Sequence, residues 1–150
     1  MAIFSEKILD ILQDLITISE KIQKKIQKED RSSLFYLKEF ATIKLSLPRQ
    51  IGKTHALLLL ARTRFSEECI ILAPNERSKK DLIDRCKEFG YTELQHNIFN
   101  IRSIECLEGL GYKKAILIDN YDCNTINMNK VYEKTIPLFK EQPYFYIIVS

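Results

Sequence analysis

The chain has no tryptophan, only two histidines, and four cysteines in 150 residues. Cys69, Cys86, Cys106 and Cys123 stand far apart with no C-x-x-C pair. Two histidines are too few to complete a metal-ligand set, so the composition argues against a zinc site or a disulfide framework and for reduced thiols. Long apolar runs are missing too. None approaches the roughly 20 residues that span a bilayer, and the first residues mix charge and apolarity at Phe4, Glu6, Lys7 and Asp10. The expectation is a soluble, cytoplasmic protein without a membrane partner. Charge of one sign is also lacking. The 23 basic and 20 acidic residues are spread along the length for a net charge of +3, and no polybasic tail or acidic arm stands out. Nucleic-acid binding is permitted by this balance but not argued by it. The length suits one domain with a real core.

What is present is an alternation of helical and strand patterns. From Ser5 to about Lys28, Ile8, Leu12, Leu15, Ile18 (or Ser19), Ile22 and Ile26 recur at three- and four-residue steps without Gly or Pro, which predicts a long amphipathic helix. Its spacing is near a heptad, yet three heptads is short for a coiled-coil arm, so packing on the domain is expected. Lys21, Lys24, Lys25 and Lys28 suit the negative end of that helix and need no ligand. A short helix is expected over Leu34 to Phe40, then a strand over Ala41 to Leu47. A helix follows from His55 to Ala61, a buried strand from Cys69 to Pro74, and a helix from Ser78 to Phe89 closed by Gly90. Further strands are expected at Ile98 to Ile101, Lys114 to Ile118 and Tyr144 to Val149, with a helix around Ser103 to Leu110. Apolar strands alternating with helices predict an α/β fold with a mostly parallel sheet covered by helices. The chain divides into an N-terminal helical extension, 1–40, and a domain, 41–150.

One stretch carries chemistry. Leu47-Pro48-Arg49-Gln50-Ile51-Gly52-Lys53-Thr54 lies between a predicted strand and an apolar helix and ends in Gly-Lys-Thr. Such a loop cradles phosphate. Gly52 permits close backbone approach, the following helix N-terminus offers unpaired N–H groups, Lys53 brings a point charge, and Thr54 can ligate Mg²⁺. The first glycine of the full pattern G-x-x-x-x-G-K-[ST] is missing, because Leu47 stands there. Two strands later, Ala115-Ile116-Leu117-Ile118-Asp119 places a carboxylate at the end of an apolar strand, where it can hold Mg²⁺ through water.

With these residues in view the sequence resembles the ATPase domain of phage large terminases, and more widely the superfamily-1 and superfamily-2 helicases. Arg49-Gln50-Ile51-Gly52-Lys53-Thr54 is similar to terminase Walker A loops, which commonly lack the first glycine. Ile70 to Asn75 with Lys79 to Arg85 resembles helicase motif Ia, Ile101 to Gly109 the segment before Walker B, and Ile147-Ile148-Val149-Ser150 the start of the coupling motif. The likeness covers roughly 40–150. It implies a RecA-like P-loop core with Tyr144 to Val149 between the P-loop strand and the Asp119 strand. It implies ATP and Mg²⁺ as ligands, held by Arg49 through His55 and by Asp119. It also implies Arg49 as a charge on the γ-phosphate and Ser150 as a polar sensor. The functions that follow are viral DNA packaging or other DNA processing in the host cytoplasm, with a protein partner or self-association.

Two departures qualify the likeness. The family's catalytic glutamate, directly after the Walker B aspartate, is Asn120, which cannot accept a proton, and Asp122 is the substitute base on offer. Slow or partner-dependent hydrolysis is expected. The chain also ends at Ser150, where a terminase continues. The competing reading is a degenerate stand-alone P-loop domain that occupies a protein or nucleic-acid surface without catalysis. A small nucleotide kinase would need a lid arginine cluster after Asp119, which the sequence lacks. His55 reads as a packed helix residue and His96 as loop.

Overall fold

The computed structural model describes residues 2–26, 36–48, 52–107, 110–121, 127–139 and 143–150. Five strands form one sheet: β1 Thr42–Leu45, β2 Cys69–Ala73, β3 Ile98–Asn100, β4 Ala115–Asp119 and β5 Phe145–Val149. Every pairing is parallel and the order is β1-β5-β4-β2-β3. The strand at Tyr144 to Val149 therefore lies between the loop strand and the Asp119 strand, as the resemblance implied. Parallel neighbours need crossovers, and these carry the helices α2 Lys53–Leu60, α3 Glu76–Phe89 and α4 Met128–Thr135, while α1 Ala2–Lys25 precedes β1. The chain is thus an α/β fold.

Side-chain parity divides the core. Cys69, Ile71 and Ala73 of β2, Ala115 and Leu117 of β4, and Phe145, Ile147 and Val149 of β5 face a cluster built with α1, α2 and α3. Ile70, Leu72, Ile116, Ile118, Tyr146 and Ile148 face the opposite cluster, with α4 and the turn that begins at Ile101. Both faces of β2, β4 and β5 are buried, which is why these strands read as unbroken apolar runs. Cys69 and Cys86 are buried free thiols. Desolvation pushes them up to about 12 and about 11 respectively, which leaves them unreactive.

Several expectations change. The buried face of α1 runs through Ser5, Ile8, Leu12, Ile16, Ser19 and Gln23, while Ile18 and Ile22 are exposed at 54% and 38%. Gln23 explains the choice. Its Nε2 donates to the Tyr144 carbonyl at 2.8 Å, and its Oε1 accepts from the Tyr36 hydroxyl at 2.9 Å, so a polar side chain ties α1 to β5. The short helix before β1 is a π-helical turn, Leu37–Ala41. α2 begins at Lys53, not His55, and widens into a second π-helical turn, Ala61–Phe65. α3 starts at Glu76 because the Asn75 side chain caps it, accepting from the Ser78 N–H, and Gly90 ends it at φ 78°. The helix expected at Ser103 to Leu110 is a 3₁₀ stretch, Ile101–Leu107, broken at Ser103. The expected loop around His96 is a 3₁₀ turn, Thr92–Asn97. No helix among the described residues is long and apolar enough to cross a membrane.

Candidate functional site

Gly52 closes the loop after β1 at φ 86° and ψ 20°, a left-handed conformation that favours glycine, and it is the residue from which α2 starts. Its carbonyl accepts from the Ala56 N–H at 3.0 Å and from the Ser5 hydroxyl at 3.0 Å, so α1 braces the turn from outside. Arg49, Gln50 and Ile51 lie outside the described residues, as does Asp122. Lys53 folds its ammonium back onto the Leu47 carbonyl at 3.3 Å. A cation resting on the loop's own backbone is free to exchange that neutral acceptor for an anionic one, which binds it more strongly.

Asp119 follows Ala115 and Leu117 in parity, so its side chain emerges on the face that carries α2. There Thr54 donates its hydroxyl to Asp119 Oδ1 at 3.1 Å, joining residues 65 positions apart. Only 7% of Asp119 is exposed. Burial raises its carboxyl above the ordinary aspartate range, while the Thr54 hydrogen bond and the nearby charges of Arg85 and Lys53 act in the opposite sense. The result is a hydroxyl and a carboxylate in contact, with the charge of Lys53 close by. This donor set fits Mg²⁺, which takes one or two protein oxygens and fills its shell with water and ligand phosphates; Thr54 and Asp119 would hold it. Among the described residues no group of three or more His, Cys, Asp and Glu side chains is placed to cage a metal ion.

The remaining candidates sit apart from this pair. Asn120 is exposed and left-handed at φ 54°, a backbone state that asparagine tolerates, and it turns the chain out of the sheet. Ser150 continues the β5 ladder: its N–H donates to Leu45 O at 3.1 Å and its carbonyl accepts from Leu47 N–H at 2.8 Å. The Ser150 hydroxyl lies 3.0 Å from that of Ser46, so its contact is with the β1 side of the sheet's carboxyl edge. His55 stacks on Phe89 with centroids 4.3 Å apart and planes at 17°, a packing role that joins the first turn of α2 to the last of α3. His96 is exposed in its 3₁₀ turn.

Two residues near the site were not singled out as site residues by the sequence. Ser5 reads as one more polar position on a helix, and its reach to Gly52 depends on how α1 docks. Arg85 enters the sequence reading only as the end of the Lys79 to Arg85 stretch, and tertiary packing brings its field to Asp119. A scan against family models finds no match to the chain, and neither curated proteins nor solved structures include one that matches it.

Proposed function

We propose that this chain is a P-loop nucleotide-binding domain of RecA-like type that holds ATP with Mg²⁺ over Gly52, Lys53, Thr54 and Asp119. The observation that carries the reading is the Thr54–Asp119 hydrogen bond of 3.1 Å. It joins the first turn of the helix after the glycine to the end of a buried strand, which is the juxtaposition a phosphate-plus-Mg²⁺ site requires. The strand order supports it further, since ligands of open parallel sheets bind beyond the carboxyl ends of the strands, where Gly52 and Asp119 both emerge. The likeness to phage terminases supports ATP as the nucleotide and DNA packaging or processing as the setting. Hydrolysis is slow or depends on a partner, because Asn120 stands where that family has its base. An exposed, left-handed Asn120 favours the second reading as well, a binding module that holds nucleotide or a macromolecular surface without turnover.

Calorimetry with Mg-ATP and Mg-ADP on the protein and on Lys53→Ala separates the cases, followed by phosphate release with and without DNA. Binding that the substitution weakens at least tenfold, with DNA-stimulated release, establishes an ATPase. Binding without release leaves the module, and no binding of either nucleotide overturns the proposal.

A further inference from the structure

Among the described residues the candidate site has one cation from its own loop, Lys53, and the charge of Arg85 on α3 also reaches Asp119. We infer that Arg85 reads the terminal phosphate of a nucleoside triphosphate and so discriminates triphosphate from diphosphate; the inference rests on the nucleotide reading above. Its placement follows from the His55–Phe89 stack, which seats the last turn of α3 against the residue directly after Thr54. Residues four apart on a helix share a face, so Arg85 lies one turn before Phe89 on the same stripe. That turn is displaced toward the N-terminus of α3, which begins beyond the carboxyl end of β2. Arg85 is therefore carried past His55 toward the edge of the sheet where Thr54 and Asp119 meet.

Its pairing state agrees. Asp81 and Glu88 are within one helical turn of Arg85, yet no ion pair among the described residues includes it. Arg62 and Arg64, on the turn after α2, do have partners, in Glu93 and Glu20. An exposed arginine with acids within reach and none engaged is open to a ligand, and its charge already acts on Asp119. The charge count is compatible with it. A nucleoside triphosphate with one Mg²⁺ keeps about two negative charges, of which Lys53, the loop cation among the described residues, offsets one. A guanidinium supplies the other in a planar fork that matches two phosphate oxygens, which an ammonium cannot do.

The test measures Mg-ATP and Mg-ADP affinities for the protein, Arg85→Ala, Arg85→Lys and Lys53→Ala. Arg85 is exposed and alanine suits a helix, so the folded state is expected to survive, which circular dichroism checks. Arg85→Ala is expected to weaken ATP by about tenfold or more while ADP shifts less than about twofold, with Arg85→Lys between. Lys53→Ala weakens both nucleotides. If Arg85→Ala changes ATP and ADP alike, or neither, while Lys53→Ala weakens both, the assignment of Arg85 is overturned and the nucleotide reading stands. If the unmodified protein binds neither nucleotide, both fall together.

Discussion

At Asp119 folding and ligand binding make opposite demands. Its carboxyl is buried, and desolvation outweighs the Thr54 hydrogen bond and the two cations, so its pKa stands above that of the unfolded chain. The folded state then binds the proton more tightly than the unfolded state. Stability from this group is complete below the ordinary carboxylate range and is lost as pH rises through the folded value. At neutral pH the ionised side chain is a cost that Mg²⁺ would offset. Asp119→Asn keeps an oxygen for the Thr54 hydroxyl and removes the charge. We expect it to raise Tm at pH 7 by about 2–4 °C, the shift that ~1 kcal/mol makes in a domain of this size, and to abolish Mg-dependent nucleotide binding. Scanning calorimetry at pH 7 and pH 4 checks the sign, since the gain should shrink at the lower pH. The meeting of Thr54 and Asp119 beside Gly52 was legible in the sequence because Gly-Lys-Thr and a strand-end Asp form a pattern with a stated chemical use. Arg85 was not, because the stripe of α3 that faces the site is fixed by packing on β2 and β3 and by the His55–Phe89 stack, none of which leaves a local trace.

At the scale of elements the same division holds. The strands over Cys69–Ala73, Ala115–Asp119 and Phe145–Val149 were readable because burial on both faces writes a continuous apolar run. The stretch at Ile101, Ile104 and Leu107 has buried residues at steps of three, the period of a 3₁₀ helix, where a helix around Ser103 to Leu110 is expected from the sequence. α4 was not expected, although Met128, Val131, Tyr132 and Thr135 stand at i, i+3, i+4 and i+7 on one face; the stretch is short and polar residues Asn127, Asn129 and Lys130 open it. Its stability comes from packing against β5: the Thr135 hydroxyl lies 2.7 Å from the Tyr146 hydroxyl, and the Tyr132 and Tyr146 rings meet edge to face at 4.7 Å. For α1 the decisive residue is polar. Gln23 is fully buried and makes hydrogen bonds with Ser19, with Tyr36 and with the backbone N–H and carbonyl of Tyr144. Gln23→Leu preserves volume but removes all of these bonds in a low-dielectric setting. The expected loss is about 2–4 kcal/mol, read from urea unfolding at constant m. A loss below about 0.5 kcal/mol would show that apolar contacts alone hold the helix.

For the whole molecule, sheet order is the feature least accessible to periodicity, because every parallel strand looks alike from its own residues. The expectation that Tyr144 to Val149 lies between the loop strand and the Asp119 strand came from resemblance alone, and the pairings Thr42–Tyr146 and Asp119–Val149 bear it out. That order has a thermodynamic consequence. β1 and β4 never touch in the sheet, so the Thr54–Asp119 contact spans the insertion of β5 and links two crossovers that the ladder does not join directly. A ligand seated there bridges the loop after β1, the end of β4 and the first turn of α2, which exist together only in the folded state. Binding therefore stabilises the domain as one unit. At Mg-ATP one hundred times its Kd the gain is about 2.7 kcal/mol, which for a domain of this size raises Tm by roughly 5–11 °C. Lys53→Ala should lose this increment. Arg85→Ala should shrink the increment for Mg-ATP to that for Mg-ADP at equal concentration. An increment from Mg²⁺ alone as large as that from Mg-ATP would mean that the site takes the cation without nucleotide, and would sink the assignment of Gly52 and Lys53 to phosphate.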